Sequence, residues 1–440
     1  MVMSSSFRAL RSRNYRLWAT GTVVSNTGTW MQRTAQDWLV LVILTRHSAF
    51  AVGVVTGLQF APLIAFSAHA GLIADQYSKR RVLAVTQSVM GLSALVLGTL
   101  TVTHTVRLWH VFACALLLGI ASAVDNPARQ AFVSEVVPRA DVTSAVSLNS
   151  ASLNVGRLIG PGVAGLVIAA AGTGPAILIN AGSFAGVLVA LARMRPGEMY
   201  ASNRARRRKG QVREGLSYVR HRPDLVLVFA MTGVVSMFGL NFQLTNALMA
   251  TGPFGKGPRE YGLLGSVMAI GSLAGAVLAA RRERPRLALL VAAGIAFGCL
   301  LTLAGVMPTY AAYAVLLVPI GLCTVTFLNS CNTAVQLSTA PALRGRVIAL
   351  YVVVQQGTTP IGSPIVGWIG GVAGARWSVL SGGIAALAAC LGGLLVLRRA
   401  PGISRRFAAA LASADEPAPP RPAGVAGDVT TDGASGVRSP

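Results

Sequence analysis

Residues 137–165 read VPRADVTSAVSLNSASLNVGRLIGPGVAG, and residues 340–367 read APALRGRVIALYVVVQQGTTPIGSPIVG. Each stretch begins in a proline-containing loop with arginine, continues as a polar-flecked helix and ends in a cluster of glycine and proline. The two lie about 202 residues apart, close to half of the apolar body of the chain. The same plan occurring twice at that offset points to two related halves. When such halves are parallel, the site between them falls near the middle of a bilayer.

The body around the repeat is built for lipid. Apolar residues make up 53% of the sequence and charged residues 12%, unlike a soluble protein of this size. A crossing takes roughly 20 mostly apolar residues. Such runs are expected to span at 16–44, 50–74, 82–102, 108–133, 144–170 and 175–192, and again at 225–249, 261–280, 287–306, 310–337, 347–370 and 377–397. The fold class expected is therefore an all-α polytopic membrane protein with twelve transmembrane helices in two parallel six-helix halves. The halves are placed at 16–193 and 223–398, joined by an arginine-rich linker at 194–222. Residues 1–15 and a largely disordered tail at 399–440 flank them, the tail because its Ala, Pro, Gly, Ser and Asp cannot bury enough surface to fold.

The net charge of +24 raises the question of nucleic acid, and the distribution of the charge answers it. Arginine and lysine gather in alternate connections: Arg8 to Arg16, Lys79 to Arg81, Arg204 to Lys209, Arg281 to Arg286, Arg344 with Arg346, and Arg398 with Arg399. The other connections hold little more than Arg46, Arg107, Lys256, Arg259 and Arg376. Such asymmetry places both termini in the cytoplasm and suits anionic lipid headgroups, so an inner-membrane location without nucleic acid is expected. No cleaved signal peptide is expected, because a polar-striped span follows the basic N-terminus. The five cysteines, at 114, 299, 323, 331 and 390, lie in apolar runs without metal-type spacing and read as packing.

The loop at 71–81 reads GLIADQYSKRR, and its Gly71, Asp75, Lys79, Arg80 and Arg81 are similar to the signature loop of the major facilitator superfamily, with Ser78 where a second glycine is usual. A weaker counterpart, Arg281, Arg282, Glu283 and Arg284, stands one half later. The stretches WMQRTAQDWLVLVIL (30–44), DNPARQAFVSEVVP (125–138) and GRLIGPGVAG (156–165) further resemble the multidrug and enterobactin exporter-like, or transmembrane secretion effector-like, branch. This resemblance implies that helices 1, 4, 7 and 10 line a central cavity. It also implies that the Gly-Pro motif of Gly156, Gly160, Pro161 and Gly165 belongs to an antiporter working in the export direction. Physically, Asp75 at a helix end can meet the positive N-terminus of a neighbouring helix, and the basic run can meet headgroups or Glu135, forming a conformational latch. A topogenic charge cluster is the alternative.

Ionisable groups within a span are costly and face a cavity or a partner. Asn26, Trp30, Arg33 and Asp37 recur at helical spacing on one face, with Arg33 and Asp37 one turn apart. Asp125 and Arg129 repeat that spacing around Pro127, which favours a kink and a gate. Asn154 and Arg157 share a face in the fifth span, where a fixed cation would attract an anion or pair with Asp37 or Asp125. In the second half the stripes are neutral: Asn241 and Asn246 with Gln243 and Thr245, then Asn329, Asn332 and Gln336. Each set reads either as cavity lining or as structural bonding. Asp37, then Asp125, are the candidates for a proton-coupling acid.

No nucleotide-binding Gly-x-x-x-x-Gly-Lys-Ser/Thr loop, metal-ligand pattern or nucleophile elbow occurs. Neither cofactor, metal nor enzymatic activity is expected. The energy for transport then comes from a gradient, and the expected function is a monomeric, proton-coupled exporter of a small lipophilic molecule such as a drug, siderophore or secondary metabolite. An importer or lipid flippase on the same fold is the alternative, and a non-transporting receptor or scaffold is more remote. The topology carries the first test. A cysteine replacing Asn203 should resist an impermeant maleimide in intact cells and react after permeabilisation; labelling of intact cells above the parent protein would refute the orientation.

Overall fold

The structure, a computed structural model, describes residues 5–200, 211–281, 287–341, 343–403 and 406–407, with the side chains of 5–6, 67–75, 211–212 and 280 outside the description. Gly71 and Asp75 of the signature loop, Arg282, Glu283 and Arg284, Asn203 and the tail from 408 therefore lie outside the described residues or side chains. The first half comprises α1 (Arg13–Trp38), α2 (Ala49–Gln76), α3 (Lys79–Val102), α4 (Leu108–Val133), α5 (Val142–Ala171) and α6 (Thr173–Arg193). A short amphipathic helix α7 (Gln211–Arg220) precedes the second half. There α8 (Pro223–Val234) and α9 (Phe242–Thr251) form one crossing. They are followed by α10 (Pro258–Ala280), α11 (Leu287–Gly305), α12 (Tyr310–Ser338), the crossing of α13 (Arg344–Gly357) and α14 (Thr359–Ala373), and α15 (Ala375–Arg399).

Helices are the outcome because hydrocarbon offers no partner to an open backbone group. Among the described residues, ten of the crossings are apolar and long enough by composition alone. The other two are the polar-striped α1 and the divided α13–α14. Large apolar side chains such as Val85, Leu92, Val315, Trp368 and Val372 point outward, as lipid contact requires. Repetition of the halves reaches the backbone. Gly172, between α5 and α6, has φ 88°, and Gly374, between α14 and α15, has φ 95° at the offset of the sequence repeat. Only glycine takes such an angle without strain.

Two crossings expected as single helices are divided. The first passes from α8 through a wide turn at Val235–Gly239 to a break at Leu240 and Asn241. The Asn241 side-chain amide donates to the carbonyls of Met237 (2.8 Å) and Phe238 (3.3 Å), so the break leaves them satisfied. The second divides at Thr358, where Pro360 in the first turn of α14 cannot donate to the preceding turn. Conversely, α4 runs unbroken through Pro127.

Within the first half α1 lies against α5 and α6, α2 against α4, and α3 against α4 and α6. In the second half, α10 lies against α12, α11 against α12 and α15, and α8–α9 against α14 and α15. The halves meet along α5 with α10 and α2 with α14. A Cβ placed on Gly165 would come within 2.6 Å of the Pro258 carbonyl oxygen, and one on Gly262 would strike that of Pro161. Gly53 and Gly367 meet the carbonyls of Ser363 and Ala49 in the same way. These close approaches fall in the halves of the helices away from the N-terminus of α1, so the bundle is shut at that far face. Valine at Gly262 should wedge α10 from α5 there. Spin labels at Ala171 and Lys256 should then report longer distances by electron–electron dipolar spectroscopy, and an unchanged distribution would contradict the wedge.

Candidate functional site

Between the halves lies a cavity of about 490 Å³. Its charged lining residues are Arg33 from α1 and Arg157 from α5, and both guanidiniums sit on the same indole. The Arg33 Cζ is 5.2 Å from the Trp30 ring centroid and 5.2 Å from that of Phe60, while the Arg157 Cζ is 4.9 Å from Trp30. Packing sets this up. A Cβ on Gly160 would meet the Trp30 Cβ at 2.6 Å, so only glycine lets α5 come close enough to bring Arg157 over the ring. Asn126, Gln243, Asn246, Tyr261, Gln355 and Gln356 are among the polar residues of the lining.

Asp37 is 3% exposed. It stands one turn from Arg33 without an ion pair to it, since Arg33 turns to the two rings. Instead Asp37 Oδ2 accepts from the Tyr261 hydroxyl of α10 at 3.2 Å. The Gln243 carbonyl stands 3.3 Å from the same hydroxyl, so a single proton serves one acceptor at a time. The Trp38 ring stacks on Tyr261 with centroids 6.1 Å apart. This set joins the two halves near the far face. Sequence reading placed Tyr261 only at a span boundary and passed over Phe60, Asn126, Gln355 and Gln356. The paired amides of VVVQQG were the available signal for the last two.

Asp125 has a different surrounding. Its Oδ1 accepts from Thr86 (2.7 Å) and Gln87 (2.8 Å), and its Oδ2 from Arg129 Nε (3.0 Å), with the Arg129 second nitrogen at 2.9 Å. The Arg129 Cζ also lies 5.4 Å from the Trp18 ring. Asn26 donates to Ser152 (2.9 Å) with its backbone against Gly156. Asn154 donates to the Ser150 carbonyl of its own helix. Asn241 accepts from Ser363, Asn246 from Tyr313, and Asn332 from Gln336, while Asn329 is exposed. Of the Gly-Pro motif, Gly156 and Gly160 face α1, whereas Pro161 and Gly165 face α10. In the signature loop Lys79 pairs with Glu135 at 3.2 Å, Arg80 donates to the Leu191 and Ala192 carbonyls, and Arg81 is exposed.

Residues 4–418 match the family described as transmembrane secretion effector. The chain belongs to this family of major facilitator transporters. It is 27% identical over 360 residues to the multidrug efflux pump Tap of Mycolicibacterium fortuitum, covering 79% of this chain and 87% of that one. It is 36% identical over 143 residues to the staphyloferrin A transporter of Staphylococcus aureus, covering 32% of this chain and 36% of that one. Among solved structures, a bacterial homolog of the human lysosomal transporter Spinster, inward-facing and unoccupied, matches with TM-score 0.68 and 13% identity over 91% of this chain and 98% of that one. The D-xylose-proton symporter matches with TM-score 0.68 and 13% identity over 87% and 97%. Both share the fold.

The two acids of this transporter should separate by their effect on stability. Removing one partner of a buried ion pair leaves an uncompensated charge and costs about 3–5 kcal/mol. Asp125→Ala should therefore lower the melting temperature of the detergent-solubilised protein substantially. Asp37→Asn, whose amide oxygen still accepts from Tyr261, should move it little. Equal shifts in a thermal unfolding assay would contradict the distinction.

Proposed function

We propose that the transporter exports a small organic molecule across the inner membrane in exchange for protons, with Asp37 as the coupling acid. The observation that carries this is the bond from Tyr261 to Asp37, a buried carboxylate held across the two halves. The name of one relative, a multidrug efflux pump, supports export, and that of another, the staphyloferrin A transporter, supports a small-molecule cargo. The positive-inside asymmetry makes the terminal face cytoplasmic, so the shut far face is external and this state admits cargo from the cell. Monomeric action among membrane lipids belongs to the same reading.

The chemistry follows from what a proton changes. An ionised Asp37 accepts a charge-assisted hydrogen bond from Tyr261 and holds the far face shut. Cargo binding at the cavity wall drives the halves into their alternative arrangement, in which α10 leaves α1 and the carboxylate meets external water. A proton taken up there makes the side chain neutral, so it can return to the buried site at little electrostatic cost. Loss of that proton toward the cavity restores the starting state.

Comparison of metabolites retained and released by cells with and without the gene identifies the cargo and its direction. In proteoliposomes with an imposed pH gradient, Asp37→Asn should transport that cargo at the rate of protein-free vesicles. Parent-rate, gradient-dependent transport by a correctly folded mutant would remove Asp37 from the mechanism.

A further inference from the structure

We propose that the cavity receives an acidic small molecule, with at least two carboxylate-like groups, that binds Arg33 and Arg157 together over Trp30. The inference rests on the transport reading for the role of the cavity. Its physical basis is the state of the two guanidiniums.

The cavity lining carries two cations and, among the described residues, no acid. Neither guanidinium is in an ion pair among the described residues, and Arg33 Nε is buried without a hydrogen-bond acceptor. The amide nitrogen of Gln243, which lines the cavity from the second half, is likewise buried and unpartnered. Two buried donors, Arg33 Nε and the Gln243 amide, thus lack acceptors, and the Arg157 guanidinium, open to the cavity, lies on the same indole as Arg33. Such an arrangement costs free energy until something supplies them, because a buried donor left unpaired forfeits its hydration.

The chain itself provides the comparison. Arg129 also lies on an indole, that of Trp18, yet it bonds a carboxylate through two nitrogens. Stacking on a ring does not replace an anion where arginine is structural. Arg33 and Arg157 have the ring and lack the anion, and two like charges on one indole repel in a medium that screens them less than water does. A dianion would neutralise both and accept from the fork of each. A lipophilic cation would add a third positive charge. The volume of about 490 Å³ is that of a drug-sized ligand.

Equilibrium binding to the purified full-length protein in neutral detergent tests this without any gradient. Failure here leaves the transport reading standing, and failure of transport leaves the binding result standing. The probes are benzene-1,3,5-tricarboxylate and tetraphenylphosphonium, followed by isothermal titration calorimetry. The tricarboxylate should bind and the phosphonium should not. Arg33→Gln and Arg157→Gln should each weaken tricarboxylate binding at least about tenfold, the loss expected for a hydrogen bond to a charged group. The wild-type preference of anion over cation needs no variant and decides the matter if either variant does not fold. Preference for the phosphonium, absence of tricarboxylate binding, or binding that both Gln variants retain in full would each overturn the proposal.

Discussion

Close approach of helix backbones is the constraint on which this transporter depends. Lipid tails are as apolar as leucine, so helices in a bilayer gain little from burying apolar side chains against one another and must instead pack tightly. Glycine provides that contact at each junction that positions the site. Gly160 seats α5 on the Trp30 turn of α1, and Gly165 and Gly262 bring α5 and α10 to backbone contact. Gly53 and Gly367 do the same for α2 and α14. The first of these approaches delivers Arg157 to the indole. The second delivers Tyr261 to Asp37, so cavity and closure follow from one packing rule.

The halves share a plan and divide the chemistry. The first half contributes the charged groups of the cavity and the ion pair of Asp125 and Arg129. The second contributes amides and hydroxyls: Asn241 bonded by Ser363, Asn246 bonded by Tyr313, and Tyr261 reaching across. Neutral groups exchange hydrogen bonds without the solvation cost of moving a charge. That suits a half whose crossings are divided at Asn241 and Thr358, where rearrangement alters backbone as well as side-chain bonding. The charges remain on continuous helices, α1, α4 and α5.

Much of the fold was legible because its determinants are local. Apolar runs, arginine asymmetry and the repeat each occupy short windows, and together they define a two-fold helical membrane body. Gly172 and Gly374 show that the repeat extends to matching backbone turns. The division of two crossings was less legible, since a run such as 225–249 stays apolar throughout and its break depends on Asn241 bonding back to Met237 and Phe238. Lys79 meeting Glu135 was one of two outcomes the charges offered for the basic run, whereas the role of Tyr261 was not among them. Its partner lies 224 positions earlier, and no local pattern encodes that contact.

The site turns on a direction that spacing by itself does not convey. Arg33 with Asp37 and Asp125 with Arg129 are both four residues apart, yet only the second forms an ion pair. Helical side chains lean toward the N-terminus of their own helix. An arginine four residues after an aspartate leans back onto it, as Arg129 does. An arginine four residues before an aspartate leans away, toward the preceding turn, and for Arg33 that turn presents Trp30. Order therefore decides which pair is closed and which is left open. On α4 the two charges pair with one another. On α1 the guanidinium is released to the cavity wall, and the carboxylate is released to a hydroxyl from the opposite half. Two groups that would have cancelled within one helix turn are thereby free to bind different partners, one facing the cavity and the other joining the halves.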